Sequence, residues 1–138
     1  MSARTKARKL ALDILFAAEL REEAPSAVLA QRGRPNQDEL AEYDHSVRLI
    51  RGVEENGERI DELIATYATG WTLERMPAVD RNILRMGAYE LLWVDDVPDG
   101  VAVSQAVALA TELSTDESPR FVNGLLSRLQ QLKPSLSL

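Results

Sequence analysis

The chain has 138 residues, of which 45% are hydrophobic and 28% are charged, and its formal net charge is −6 at pH 7. This is the length of one domain that can bury a core without covalent cross-links. The absence of cysteine excludes disulfides and cysteine nucleophiles, and a single histidine excludes the usual zinc clusters. No hydrophobic run reaches the ~20 residues of a membrane helix, so we expect a soluble, cytoplasmic protein.

The first predicted helix runs over residues 4–20, where apolar residues recur at steps of three and four. Its start carries four cations and no acid: Arg4, Lys6, Arg8 and Lys9. Cations are unfavourable at a helix N-terminus by ~0.3–1 kcal/mol each at low salt, so their presence there needs another explanation. They could form an anion site with the free backbone N–H groups, or they could belong to a solvated, frayed terminus. The sequence leaves both interpretations open.

Three further helices are predicted in the first half of the chain. A short one covers residues 26–31, and a longer one begins at Asp38 and follows an apolar pattern that includes Leu40. The Asn-Gly pair at residues 56–57 ends that helix, and another short helix follows it. His45 falls on the longer helix, and we expect its side chain at the surface because no hydroxyl or thiol is spaced to work with it.

The stretch over residues 77–94 is predicted to be the central helix of the fold. Pro77 suits a first helical position, because the N–H that proline lacks would have no partner there. Two apolar stripes cover more than half of the helix circumference, so other helices must enclose it. Trp71, in the preceding segment, is expected to fill the gap between the two halves of the chain.

A turn over residues 95–100 separates the central helix from one that carries alanines at four-residue spacing, at positions 102, 106 and 110. Small side chains in a row let a neighbouring helix approach closely. We therefore expect this helix to pack tightly against the central helix.

The last helix is predicted from the segment that begins at Ser118. Asn-Gly is normally a hairpin signal, but Ser118 can cap a helix, Pro119 can take its first position, and the apolar residues that follow keep the helical period. Gly124 then lies inside a helix at a cost near ~1 kcal/mol, which a close backbone contact would explain. Phe121 is either a core residue or a stacking platform at the helix start, and periodicity favours the core.

In combination, these motifs resemble the NusB family of bacterial transcription antitermination factors. The resemblance rests on the basic first helix ending in Leu15-Phe16, on the stretch VDRNILR at residues 79–85 with Tyr-Glu-Leu at 89–91, on the turn at 97–98, and above all on Phe-Val-Asn-Gly at 121–124. It covers nearly the whole chain and keeps the order of the motifs.

The resemblance implies an all-α fold of about seven helices, arranged as two helical halves of a single RNA-binding domain at about residues 1–69 and 70–138. It implies binding of boxA RNA together with the ribosomal protein NusE, within the complex that helps RNA polymerase read through terminators during ribosomal RNA synthesis. It implies no cofactor and no metal.

Site residues carry over by position from the family. The resemblance implies RNA contacts for Arg4, Lys6, Arg8, Lys9, Phe16, Glu117, Arg120, Phe121 and Asn123, and contacts with NusE for Asp80 and Arg81. Two positions depart from the family pattern, because Gln105 and Thr111 stand where many relatives have Glu and Lys. The basic first helix would then face RNA, and the acidic remainder of the molecule would face a basic protein partner.

The sequence also bears on two other classes of function. The sequence has no glycine-rich phosphate loop and no nucleophile paired with a base, so we do not expect an enzyme. The alternative is a helical protein–protein adaptor or homodimer in which the basic face is buried. The salt dependence of RNA binding separates this alternative from an RNA-binding protein.

Overall fold

A computed structural model describes residues 2–138. Over this part of the chain it contains α-helices and two short 3-10 turns and no strand, which confirms the all-α prediction. The helices are α1 (Ala3–Arg21), α2 (Pro25–Arg32), α3 (Tyr43–Glu55), α4 (Gly57–Tyr67), α5 (Ala78–Trp93), α6 (Asp99–Leu113) and α7 (Ser118–Leu132), and the 3-10 turns are Leu73–Arg75 and Lys133–Ser135.

The chain forms two compact units, Met1–Glu55 and Asn56–Leu138. The boundary lies earlier than the one near residue 70 that the family resemblance implied. Helix α4 packs against α5 and α7, and therefore belongs to the second unit. None of the helices in residues 2–138 is both long enough and apolar enough to cross a membrane.

The first unit consists of α1 packed against α2 and α3. Helix α1 is capped by Ser2, whose Oγ accepts a hydrogen bond from the backbone N–H of Thr5 at 3.1 Å. Helix α3 is joined to α1 by the hydroxyl of buried Ser46, which donates to the carbonyl of Ala7 at 2.9 Å. A buried hydrogen bond of this kind stabilises the pair and fixes how the two helices pack.

The start of α3 was predicted wrongly. The helix begins at Tyr43 rather than Asp38, because Glu42 has a φ of 62°, a left-handed conformation that cannot continue an α-helix. Leu40, which extended the apolar pattern, is 60% exposed in the turns that precede the helix. His45 was also placed wrongly: it is 2% exposed, and its Nδ1 lies 2.8 Å from Nη2 of Arg48.

Helix α5 occupies the centre of the second unit and packs against α4, α6 and α7. Its predicted range was correct to within a residue at each end. Arg85 joins it to α4 through two hydrogen bonds to the carboxylate of Asp61, at 2.8 and 3.0 Å.

The alanine stripe of α6 is buried as predicted, and α6 packs tightly on α5. Gly87 of α5 makes this close approach possible. A Cβ atom at position 87 would lie 2.9 Å from Cδ1 of Leu126 and 3.1 Å from Cβ of Ala106. Helices α6 and α7 therefore both approach α5 at Gly87, where the space next to the backbone admits only a hydrogen atom.

Candidate nucleic-acid interface

The second unit carries an aromatic pair at the start of α7. The rings of Trp71 and Phe121 meet edge to face, with centroids 5.1 Å apart and planes inclined by 70°. Both side chains are half-buried, so Phe121 is neither a sealed core residue nor a fully exposed one. A ring held in this way by an aromatic neighbour keeps part of its surface available for another planar group.

The aromatic pair lines a hollow of about 380 Å³, which we call the aromatic hollow. Its other walls are Thr69, Gly70, Glu117 and Arg120. Glu117 and Arg120 are both exposed. Three of the residues predicted for RNA binding, Glu117, Arg120 and Phe121, are therefore brought together. Trp71, which also lines the hollow, was predicted to fill the gap between the two halves of the chain and was missed as a candidate site residue, because no local pattern places it beside Phe121.

A chain of hydroxyl groups shapes the turn between α6 and α7 that presents these residues. Thr115 Oγ1 and Ser118 Oγ lie 2.7 Å apart, Ser118 donates to Ser114 at 3.1 Å, and Ser114 donates to Asp80 Oδ1. Ser118 also accepts the backbone N–H of Thr115 at 3.2 Å. It therefore closes the turn that precedes α7 instead of capping the helix as predicted.

The two residues predicted to contact the protein partner are neighbours at the start of α5. Asp80 is fully buried, at 0% exposure, and its Oδ2 has no hydrogen-bond partner within residues 2–138. Arg81 donates to the carbonyls of Leu73 and Met76 at 2.7 and 3.1 Å. Both side chains support neighbouring segments, and the carboxylate of Asp80 is not presented at the surface.

The four basic residues predicted to bind RNA at the start of the chain lie within α1 and not in a frayed tail. Lys6 is exposed, Arg4 and Lys9 are half-buried, and Arg8 is only 4% exposed. A guanidinium as deeply buried as that of Arg8 is not offered to a ligand in this structure. Phe16, further along α1, is half-buried.

Arg4 is held by an acid of the same unit. Its Nη2 and Nε donate to Oε2 of Glu42 at 2.7 and 3.2 Å. The hydrogen bond and the positive charge of Arg4 lower the pKa of Glu42 below its ordinary value of 4.5. Glu42 therefore stays ionised at neutral pH and competes with any other anion for Arg4.

The remaining predicted positions lie on α6 and α7. Asn123 is exposed and accepts from the hydroxyl of Ser127 at 3.4 Å through Oδ1. Thr111 is also exposed, and its hydroxyl donates to the carbonyl of Val107 at 3.0 Å, within its own helix. Thr111 therefore adds no charge to this surface.

An exposed arginine beside a half-buried aromatic pair, on an all-helical scaffold, defines a class of protein suited to binding single-stranded nucleic acid. Residues 5–131 match the model of the NusB family. The chain belongs to the NusB family. The transcription antitermination protein NusB of Thermobifida fusca (strain YX) is 58% identical over 136 residues, which cover 99% of this chain and 94% of that protein.

Two solved structures show the same fold. A structure of T. maritima NusB has a TM-score of 0.81 at 32% identity and covers 99% of each chain. A chain in the crystal structure of the antitermination factors NusB and NusE in complex with dsRNA has a TM-score of 0.77 at 27% identity, covering 95% of this chain and 98% of that one.

Proposed function

We propose that this protein is a transcription antitermination factor, which binds boxA RNA of ribosomal RNA transcripts together with the ribosomal protein NusE and helps RNA polymerase read through terminators. It acts in the cytoplasm as a binding protein and not as an enzyme. The 58% identity to a transcription antitermination protein over 136 residues supports the proposal. The observation that carries it is the Trp71–Phe121 pair beside the exposed Arg120.

In this proposal the two units supply different parts of RNA recognition. Lys6, Lys9 and Arg4 of α1 neutralise phosphates, a contribution that is independent of sequence. Phe121 stacks on an unpaired base, and Arg120 and Glu117 bind polar groups beside it. The net charge of −6 leaves an acidic surface elsewhere, which suits a basic partner such as a ribosomal protein.

The contact with NusE is proposed to depend on Asp80 and Arg81 indirectly. Asp80 holds Ser114 at the turn before α7, and Arg81 holds the carbonyls of the segment that follows Trp71. Replacing either residue would shift the surface that a partner contacts, without removing a charge that the partner itself touches.

Binding of a boxA RNA oligonucleotide at several salt concentrations tests the proposal. The three cations of α1 alone contribute about −2 to the slope of log affinity against log salt, at about −0.7 per phosphate for a single strand. Lys6→Gln should flatten the slope by about 0.7. Arg51→Gln, which removes an exposed charge from α3, is the matched control. A slope near zero that neither variant changes would favour the adaptor or homodimer.

Removing the acid that holds Arg4 should strengthen RNA binding. We expect Glu42→Gln to raise affinity for the same RNA by about two- to fivefold at neutral pH and low salt, because Arg4 loses its competing carboxylate and the local charge becomes more positive. Glu55→Gln changes the charge equally at another exposed position of the first unit and is the control. Equal affinities of the two variants would show that Glu42 does not restrain Arg4.

A further inference from the structure

Gly124 has no structural explanation inside the protein. It is the seventh residue of α7, and glycine is among the poorest helix formers. Its φ is not in the left-handed region, and a Cβ atom at this position would meet no atom within 4 Å. The close backbone contact that the sequence predicted for Gly124 exists instead at Gly87. Within residues 2–138, neither a close contact nor the backbone conformation therefore requires a glycine at position 124.

Gly124 lies in a hollow of about 540 Å³ beside the aromatic hollow, which we call the glycine hollow. Its walls include Arg120 and Arg128 of α7, together with Thr66, Tyr67 and Thr69 from the end of α4 and the residues after it. The volume is within the range of about 300–1,000 Å³ that ligand sites occupy. A side chain at position 124 would project into this space.

The chemistry of the glycine hollow is that of an anion site with hydrogen-bonding walls. Arg120 and Arg128 stand four residues before and after Gly124, on one face of the helix and about 12 Å apart along its axis. Both are exposed, and neither side chain forms an ion pair or hydrogen bond with another residue in 2–138. The hydroxyl of Thr66 donates to the carbonyl of Glu62 at 2.7 Å and keeps its lone pairs for a donor.

We propose that the glycine hollow is a further nucleotide subsite, in which the RNA strand that stacks on Phe121 continues along α7. The phosphate of this nucleotide is bound between Arg120 and Arg128, and its ribose lies over Gly124, where the absence of a side chain allows close approach to the helix. Thr66 accepts a hydrogen bond from a ribose hydroxyl, a group that DNA lacks at the 2′ position. Phe121 and Arg120 line both hollows, so the two sites are continuous.

This inference rests on the proposed function, and its test uses the whole 138-residue chain with three boxA RNA oligonucleotides. One extends beyond the base on Phe121 in both directions, and each of the other two lacks the nucleotides at one end. For the wild type, one truncation should lower affinity by about five- to tenfold. Gly124→Leu should bind the long RNA as weakly as the wild type binds the shortened one, and should be insensitive to that truncation.

Two further variants and two controls complete the experiment. Arg128→Gln should lose affinity about threefold and reduce the salt slope by about 0.7. Gly124→Ala should weaken RNA binding although its thermal midpoint rises by about 3 °C. Gly100→Ala, at an exposed helical glycine outside both hollows, and Arg51→Gln should bind all three RNAs as the wild type does.

The outcomes separate the subsite from the function on which it rests. If the wild type binds the RNA but the variants at positions 124 and 128 bind it equally well, the subsite is wrong and the proposed function stands. If the wild type binds no RNA with or without NusE, both proposals fail. A loss of affinity in Gly124→Leu that accompanies a lower thermal midpoint, with no change in the response to truncation, would also overturn the subsite.

Discussion

Gly87→Val is expected to lower the free energy of unfolding by about 3 kcal/mol or more. The first added atom, Cβ, would already lie 2.9 Å from Leu126 and 3.1 Å from Ala106. Leu126 can move its terminal methyl groups only within a fully buried environment, and Ala106 has no rotatable side chain to move. The two further methyl groups of valine would push α6 and α7 away from α5. Urea unfolding followed by circular dichroism measures the change.

Gly124→Val is the matched control for this experiment. The chemical change is identical and the residue is again helical, but position 124 is exposed and a Cβ there meets no atom within 4 Å. The expected change is within ~0.5 kcal/mol, because valine and glycine differ little in helix propensity. If both substitutions destabilise the protein equally, the close contact at Gly87 is not what makes position 87 sensitive.

A helix or a helix–helix contact was predictable where a single sequence pattern, such as an apolar period or a row of alanines, was enough to define it. The apolar period defined α1 and α5, and the alanine spacing of α6 correctly predicted its close packing on α5. The start of α3 was not predictable in this way. Leu40 continued the apolar period by coincidence, and the left-handed conformation of Glu42 has no signal in the sequence.

Burial of polar residues was the main failure of sequence reasoning. His45, Arg8 and Asp80 are all types that usually lie at the surface, and all three are buried. What buries a polar group is the set of partners that tertiary packing supplies, such as Ser114 for Asp80, 34 residues apart in sequence. The spacing of residues along the chain does not contain this information.

The candidate site was predictable only in part. Periodicity favoured Phe121 as a core residue, whereas the family resemblance implied an RNA contact, and the half-buried ring beside Trp71 is compatible with either. Trp71 lies 50 residues from Phe121 in sequence, in a segment without helical period. Its position beside Phe121 results from how the segment after α4 packs against α7, which no local pattern encodes.

Replacing the ring of Phe121 decides between these two roles. If it stacks on a base, Phe121→Leu should weaken binding of a boxA RNA by about five- to 150-fold, since one stacked base is worth ~1–3 kcal/mol and 1.4 kcal/mol corresponds to tenfold. Leucine keeps an apolar side chain against Trp71 but offers no planar face. Phe121→Tyr keeps the plane and should bind nearly as the wild type does.

Trp93→Leu is the control for loss of an aromatic ring. Trp93 stacks on Tyr89 within α5, with ring centroids 5.8 Å apart, and it lines neither hollow. RNA affinity should be unchanged in this variant. Urea unfolding of Phe121→Leu separates the remaining cases: a large fall in the free energy of unfolding with unchanged RNA affinity would identify Phe121 as a core residue. In that case Arg120 and the cations of α1 would bind RNA without a stacking platform. The affinity would then depend strongly on salt concentration and little on base identity.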